Sequence, residues 1–155
     1  MKGLLIFCSA IVMSCTSTTA QKSSDMQKHG ELLVSESQGG MDKTGFKIIK
    51  NEQEFRTAIK GNNFTIVEAG KEPDVHYPEF PKDKKVILYH LGSFRSGDHR
   101  ITQIKSISVL NNVLYVEVPF HESGGMEIQM MSSPWFMFAV PADYQFTSVE
   151  LKYSK

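Results

Sequence analysis

Gly92-Ser93-Phe94-Arg95-Ser96-Gly97-Asp98-His99 gathers two hydroxyls, a carboxylate and an imidazole in one short stretch. These are the groups a hydrolytic relay uses: a serine nucleophile, a histidine base and an acid to orient it. The spacing argues against that chemistry. Asp98 and His99 are adjacent, and adjacent residues of an extended chain point to opposite sides. No Gly-x-Ser-x-Gly elbow occurs anywhere. The same stretch has the Gly-x-x-x-x-Gly spacing of a phosphate loop. Asp98, however, stands where a lysine would meet the phosphates, and His99 where a hydroxyl would reach Mg²⁺. An acid there repels the ligand, so the phosphate reading is rejected.

The remaining chemistry-bearing residues are dispersed. The histidines are His29, His76, His90, His99 and His121; none pair at i, i+4, and no His-Glu-x-x-His occurs. No dedicated metal site and no cofactor is expected. Cys8 and Cys15 are the two cysteines, and both precede residue 16. The body of the chain therefore has no thiol for disulfides, thiolate catalysis or cysteine-zinc sites. Met126, Met130 and Met131 surround Ile128. Methionines of this kind form soft binding surfaces or fill core gaps, and the core reading is preferred. Asp74-Val75-His76-Tyr77-Pro78-Glu79-Phe80-Pro81 sets aromatics among prolines and reads as a loop over one end of the domain.

Short apolar runs separated by turn residues must position these groups. Glu31–Ser35 and Gly45–Lys50 read as the first strands, around the turn-rich Ser37-Gln38-Gly39-Gly40. A helix follows near 51–60: Asn51 can cap it, Glu52 and Glu54 suit its first turn, Phe55, Ala58 and Ile59 form one stripe, and Gly61 closes it. Val86–Leu91 and Trp135–Val140 are near-continuous apolar runs, suited to strands buried on both faces. Ile101, Ile104, Ile107 and Val109 punctuate another strand, and Asn111-Asn112 reads as a tight hairpin into Val113–Val118. Phe146–Tyr153 closes the series. Seven or eight short strands and one short helix predict a mainly β (α+β) domain, an antiparallel sandwich-like or partly rolled sheet.

The amino terminus reads as an export signal. Lys2 is followed by an apolar run, Gly3–Met13, that fits a signal h-region and is too short to span a bilayer. Val12-Met13-Ser14-Cys15 resembles the bacterial lipobox, which implies cleavage before Cys15 and its acylation. Several acyl chains on one residue make a durable membrane anchor. Cleavage after Ala20, or retention of the run as an anchor, are the competing readings. The expected organisation is a signal peptide over 1–14, lipidated Cys15 with a polar tether to residue 29, and a single β-rich domain over 30–155. Thr16 and Ser17 carry no acidic retention mark, which favours the outer membrane.

Charge narrows the partners. Basic and acidic residues number 17 each, and loss of Lys2 with the leader leaves one excess acid. No basic stripe interleaves with aromatics, so nucleic acid is not expected.

The ordered pieces Asn51-Glu52-Gln53-Glu54-Phe55, the Pro/Asp/Phe-containing linker, Val86–Leu91 running into Gly92 and Gly97, and the Pro-bounded strand Pro134–Val140 resemble the PrcB-like domain of bacterial protease-complex subunit lipoproteins. The resemblance covers roughly residues 45–151. It implies a β-rich binding domain without catalytic residues, one that helps stabilise an exported protease complex. The family's loop after the buried strand carries a paired glycine followed by Tyr; here Gly97-Asp98-His99 stands there, and only Gly97 carries over.

The expected function is a non-enzymatic envelope lipoprotein that binds an exported protease or another envelope protein. Phe94, Arg95, Asp98 and His99 are the expected partner contacts. The alternative is a small-ligand or glycan carrier with a pocket between sheet and helix, where Tyr77 and Trp135 stack on the ligand. Aromatics facing an open cleft would favour the carrier; a flat patch rimmed by loops would favour the protein partner.

Overall fold

The computed structural model describes residues 30–62, 78–120 and 130–155. Seven strands and one helix follow in the order β1 (Glu31–Glu36), β2 (Gly45–Ile49), α1 (Glu52–Asn62), β3 (Lys84–His90), β4 (Ser106–Leu110), β5 (Val113–Pro119), β6 (Trp135–Pro141) and β7 (Ser148–Ser154). The protein is mainly β, an α+β sandwich of a four-stranded sheet, β1-β6-β3-β2, and a three-stranded sheet, β4-β5-β7.

Strand alternation builds the layers. On β3, Ile87 and Tyr89 join Phe136, Phe138 and Val140 of β6 to face the second sheet. There they meet Ile107 of β4, Leu114, Val116 and Val118 of β5, and Val149 of β7. The alternate residues, Val86, Leu88, Trp135 and Met137, face the other way and meet Ile49, Phe55 and Ile59. The order of layers is thus helix, four-stranded sheet, three-stranded sheet. β3 and β6 are buried on both faces, which is why their sequences read as unbroken apolar runs.

The helix obeys its local signals. The Asn51 side-chain oxygen accepts the Glu54 amide at 2.9 Å, the bond expected of an N-cap. Phe55 and Ile59 point into the sheet, and Arg56 pairs with Glu52 at 2.6 Å on the exposed face. The helix runs to Asn62, so Gly61 lies in its last turn rather than beyond it.

Two further differences from the sequence reading have physical causes. The strand expected from Ile101 begins only at Ser106. Ile101 is buried and Ile104 packs on the same core, but both lie in irregular backbone, so their burial and not a ladder set the apolar spacing. Four of the strand pairs are antiparallel, but β5 and β7 run parallel, from Val113–Ser148 to Pro119–Ser154. Between those two strands the chain crosses to the other sheet to form β6, and the direction in which it returns is what makes the pair parallel. Asn111 and Asn112 make the tight β4–β5 turn with φ of 52° and 62°, the left-handed values a two-residue hairpin requires.

One long side of the sandwich is closed by side chains. Gly30, just before β1, lies so close to β4 that a Cβ there would sit 2.9 Å from the Ile107 Cγ2. At the opposite side, β2 and β7 are the edge strands.

Candidate functional site

Three connections meet at one end of the four-stranded sheet: Ser37–Thr44 between β1 and β2, Gly92–Lys105 after β3, and Met130–Pro134 before β6. β3 and β6 are antiparallel neighbours, so the end of one and the start of the other bring these segments together. Backbone hydrogen bonds then lock them. Phe94 and Ser132 exchange a pair, the Phe94 amide to the Ser132 carbonyl at 2.8 Å and the Ser132 amide to the Phe94 carbonyl at 2.9 Å. The Leu91 amide donates to the Pro134 carbonyl at 3.0 Å, and the Gly40 amide to the Ser133 carbonyl at 2.8 Å. A Cβ on Gly40 would stand 2.5 Å from that Ser133 oxygen, so only glycine permits the approach.

Side chains tighten the same cluster. The buried Ser132 hydroxyl donates to the Gly97 carbonyl at 3.3 Å, and the Thr44 hydroxyl to the Leu91 carbonyl at 3.1 Å. The Gln38 amide nitrogen donates to the Met131 carbonyl at 2.9 Å. Beneath them, the Trp135 indole N–H donates to the Gln38 carbonyl at 2.8 Å. His90 is buried behind the first connection, where its Nδ1 accepts the Met41 amide at 3.2 Å. That bond places the imidazole proton on Nε2, and burial lowers the pKa of the ring.

The expected contact residues share this end but differ in their roles. Phe94 is half-buried and packs on the inter-sheet core, so it anchors the loop as well as lining it. The His99 ring stacks on it at 3.9 Å, with the planes 18° apart. His99 Nε2 donates to the Ser96 carbonyl at 2.8 Å, since a carbonyl can only accept. Asp98 is exposed; one of its oxygens accepts the Arg100 amide at 3.0 Å, and the other lies 3.3 Å from the Arg100 guanidinium. Arg95 is exposed on the outer rim.

No relay assembles from these groups. The Ser93 hydroxyl donates to Asp42 at 2.8 Å and lies 3.2 Å from the Ser133 hydroxyl, while the His99 ring is engaged with Phe94 and Ser96. Among the described residues no group of His, Asp and Glu is placed to hold a metal ion.

Two sequence readings are corrected here. Trp135 is fully buried in the layer between sheet and helix, with its N–H engaged, and cannot stack on a ligand. The space expected to hold a carrier pocket is filled by Ile49, Phe55, Ile59, Val86, Leu88, Trp135 and Met137. Met130 and Met131 do not fill core gaps: they are 58 % and 69 % exposed, and Met41, in the connection that hydrogen-bonds to their segment through Gln38 and Gly40, is 62 % exposed. Met130 and Met131 immediately precede Ser132 and Ser133, whose backbone bonds to Phe94 and Gly40. Cys15, Tyr77, Met126, Ile128, His29, His76 and His121 lie outside the described residues.

No family model, curated protein or solved structure matches the chain. What the geometry itself provides is a loop-rimmed surface, apolar at Met41, Met130 and Met131 and polar at Arg95, Asp98 and Arg100, on a backbone braced from beneath. The connection between β1 and β2 contributes Met41 to it, and sequence reasoning treated that segment only as a turn. Its signal was the Gly39-Gly40 pair, whose second glycine is needed for the contact with Ser133.

A cleft of about 310 Å³ opens at the β2/β7 side, lined by Thr44, Tyr89, Leu91, Val149, Glu150, Leu151 and Tyr153. Burial pushes the phenols of Tyr89 and Tyr153 above their ordinary pKa, so both remain neutral donors at physiological pH.

Proposed function

We propose that this chain is a lipid-anchored envelope protein whose domain serves, without chemistry of its own, as a protein-binding accessory module. The observation that carries the reading is the braced, loop-rimmed surface at the end of the four-stranded sheet. Exposed methionines there offer adaptable apolar contact, and the arginines at the rim offer polar specificity. Loops held by a rigid scaffold are favoured places for binding because their backbone is already ordered when the partner arrives.

The lipobox-like Val12-Met13-Ser14-Cys15 supports anchoring through Cys15, and the residues after it favour the outer membrane. The resemblance to PrcB-like domains supports an exported protease complex as the partner. In that role the domain steadies the partner by binding its folded form, and stabilisation follows mass action.

The test is co-purification from envelope extract with the tagged full chain, its Arg95→Glu/Met131→Asp variant, and a Cys15→Ser variant. One stoichiometric exported protein is expected with the native chain and lost with the surface variant. Metabolic labelling with a palmitate analogue is expected to mark the native chain and not Cys15→Ser. Equal recovery with the surface variant would move the contact elsewhere; recovery of nothing would remove the accessory role.

A further inference from the structure

Sulfur in the described domain occurs only as thioether, because both cysteines precede residue 16. Four methionines fall among the described residues, and the fold divides them. Met137 of β6 is fully buried in the layer between the four-stranded sheet and α1. Met41, Met130 and Met131 are each more than half exposed. All three lie on connections at the same end of that sheet, and neither core cluster includes any of them.

The backbone that carries the exposed methionines is held without help from their side chains. The Met41 amide donates to His90 Nδ1 at 3.2 Å, and the Met131 carbonyl accepts the Gln38 side-chain amide at 2.9 Å. The flanking residues are fixed in the same way: the Gly40 amide donates to the Ser133 carbonyl, and Ser132 exchanges its pair of bonds with Phe94. Each bond engages backbone atoms of the methionine segments, so a change at the sulfur atoms leaves the bracing in place. A change at Met137, by contrast, would fall on the packed layer beside Trp135, Phe55 and Ile59.

We propose that Met41, Met130 and Met131 form a reversible oxidation site, where hydrogen peroxide converts the thioethers to sulfoxides and turns the partner-binding surface from apolar to polar. A sulfur lone pair attacks one peroxide oxygen, and an S–O bond forms as the O–O bond breaks. The sulfur gives up two electrons, the proton of the transferred oxygen passes to the departing hydroxide, and water leaves. A methionine sulfoxide reductase supplied with a dithiol reverses the step: the thiols become a disulfide and the oxygen leaves as water. The thioether offers soft apolar contact, whereas the sulfoxide carries a strong dipole and an acceptor oxygen. Packed against an apolar partner face, that oxygen meets no donor, and burying it costs free energy. Oxidation therefore loosens the partner while the domain stays folded. The inference rests on the accessory role proposed above and names how that surface is regulated.

The test uses the full chain with Met26→Leu and Met126→Leu, so that beyond the signal segment only Met41, Met130, Met131 and Met137 remain. It is treated with graded hydrogen peroxide, and the sulfoxides are located by peptide mass spectrometry. Thermal unfolding, retention on a hydrophobic-interaction column and co-purification from envelope extract are followed on the same samples. Met41, Met130 and Met131 are expected to oxidise at least about tenfold faster than Met137, since a buried sulfur reacts only when the structure opens. The unfolding midpoint is expected to hold while column retention falls, and reductase treatment is expected to restore retention. Partner recovery should drop about tenfold as the three sulfoxides accumulate, and return after the reductase. Oxidation of Met137 at a matching rate, unfolding in step with the three sulfoxides, or sulfoxides that the reductase cannot remove from the folded chain would overturn the site. Undiminished capture by the fully oxidised chain would overturn the regulation and leave the accessory role standing. Recovery of nothing by either form would remove the accessory role, and the sulfoxide map, the midpoint and the column retention would still decide the site.

Discussion

The rings of Phe94 and His99 stack 3.9 Å apart and within 18° of parallel, closing the loop after β3 on itself. Phe94 also packs on the inter-sheet core, and its backbone pairs with Ser132. The loop is consequently an extension of the scaffold, and its rim residues are presented in fixed positions. Phe94→Ala is expected to destabilise the domain by about 1–3 kcal/mol, less than a fully buried phenylalanine would. A double-mutant cycle with His99→Ala should give a coupling of about 0.5–1.5 kcal/mol for the stacked pair. Arg95→Ala should change stability by less than about 0.5 kcal/mol, because it lies on the exposed rim. Urea denaturation of the single and double variants checks all three values.

His90 makes stability depend on pH. Burial lowers its pKa in the folded state, while the unfolded chain keeps the ordinary value near 6.5. As pH falls below that value the unfolded state takes up a proton and the folded state does not, so stability decreases. The loss levels off once pH is below the lowered folded value. Protonation of Nδ1 would also remove the acceptor of the Met41 amide. Urea midpoints between pH 7.5 and 5 should fall for the native chain and fall less for His90→Gln; equal slopes would remove His90 as the cause.

Tyr144 is buried with no hydrogen-bond partner for its hydroxyl among the described residues, and burial raises its pKa. Its carbonyl accepts the Lys85 ammonium, an interaction that involves only the backbone of residue 144. Tyr144→Phe removes the unsatisfied oxygen and keeps the ring, so the variant should match the native chain or exceed it by about 1 kcal/mol. Thermal unfolding of the two proteins decides it, and a clear loss of stability would mean the hydroxyl has a partner in solution.

How much of this was legible in sequence follows from the range of each signal. The helix start at Asn51, the Asn111-Asn112 turn and the doubly buried strands β3 and β6 are set by residues within a few positions of one another, and they read correctly. The parallel partnership of β5 and β7 depends on where a distant strand returns, and no local pattern encodes it. The same limit applies to the site. Gly92–His99 stood out because its chemistry is contiguous, but the surface also needs Gln38, Gly40, Met41 and Met131, which only the β1, β3 and β6 ladders bring together. Trp135 misled because an aromatic suited to ligand stacking is equally suited to a core, and its burial is decided by α1 covering the sheet.

The central claim, that the end of the sheet carrying Met41, Arg95 and Met131 binds a partner protein, is tested most directly by site-specific photo-crosslinking in intact cells. A photoreactive phenylalanine analogue is placed at Met131, at Arg95 or, as a control on the exposed helix face, at Lys60. The account predicts one discrete adduct from Met131 and Arg95, containing the same exported protein, and none from Lys60. Adducts from all three positions alike, or from none, would contradict it.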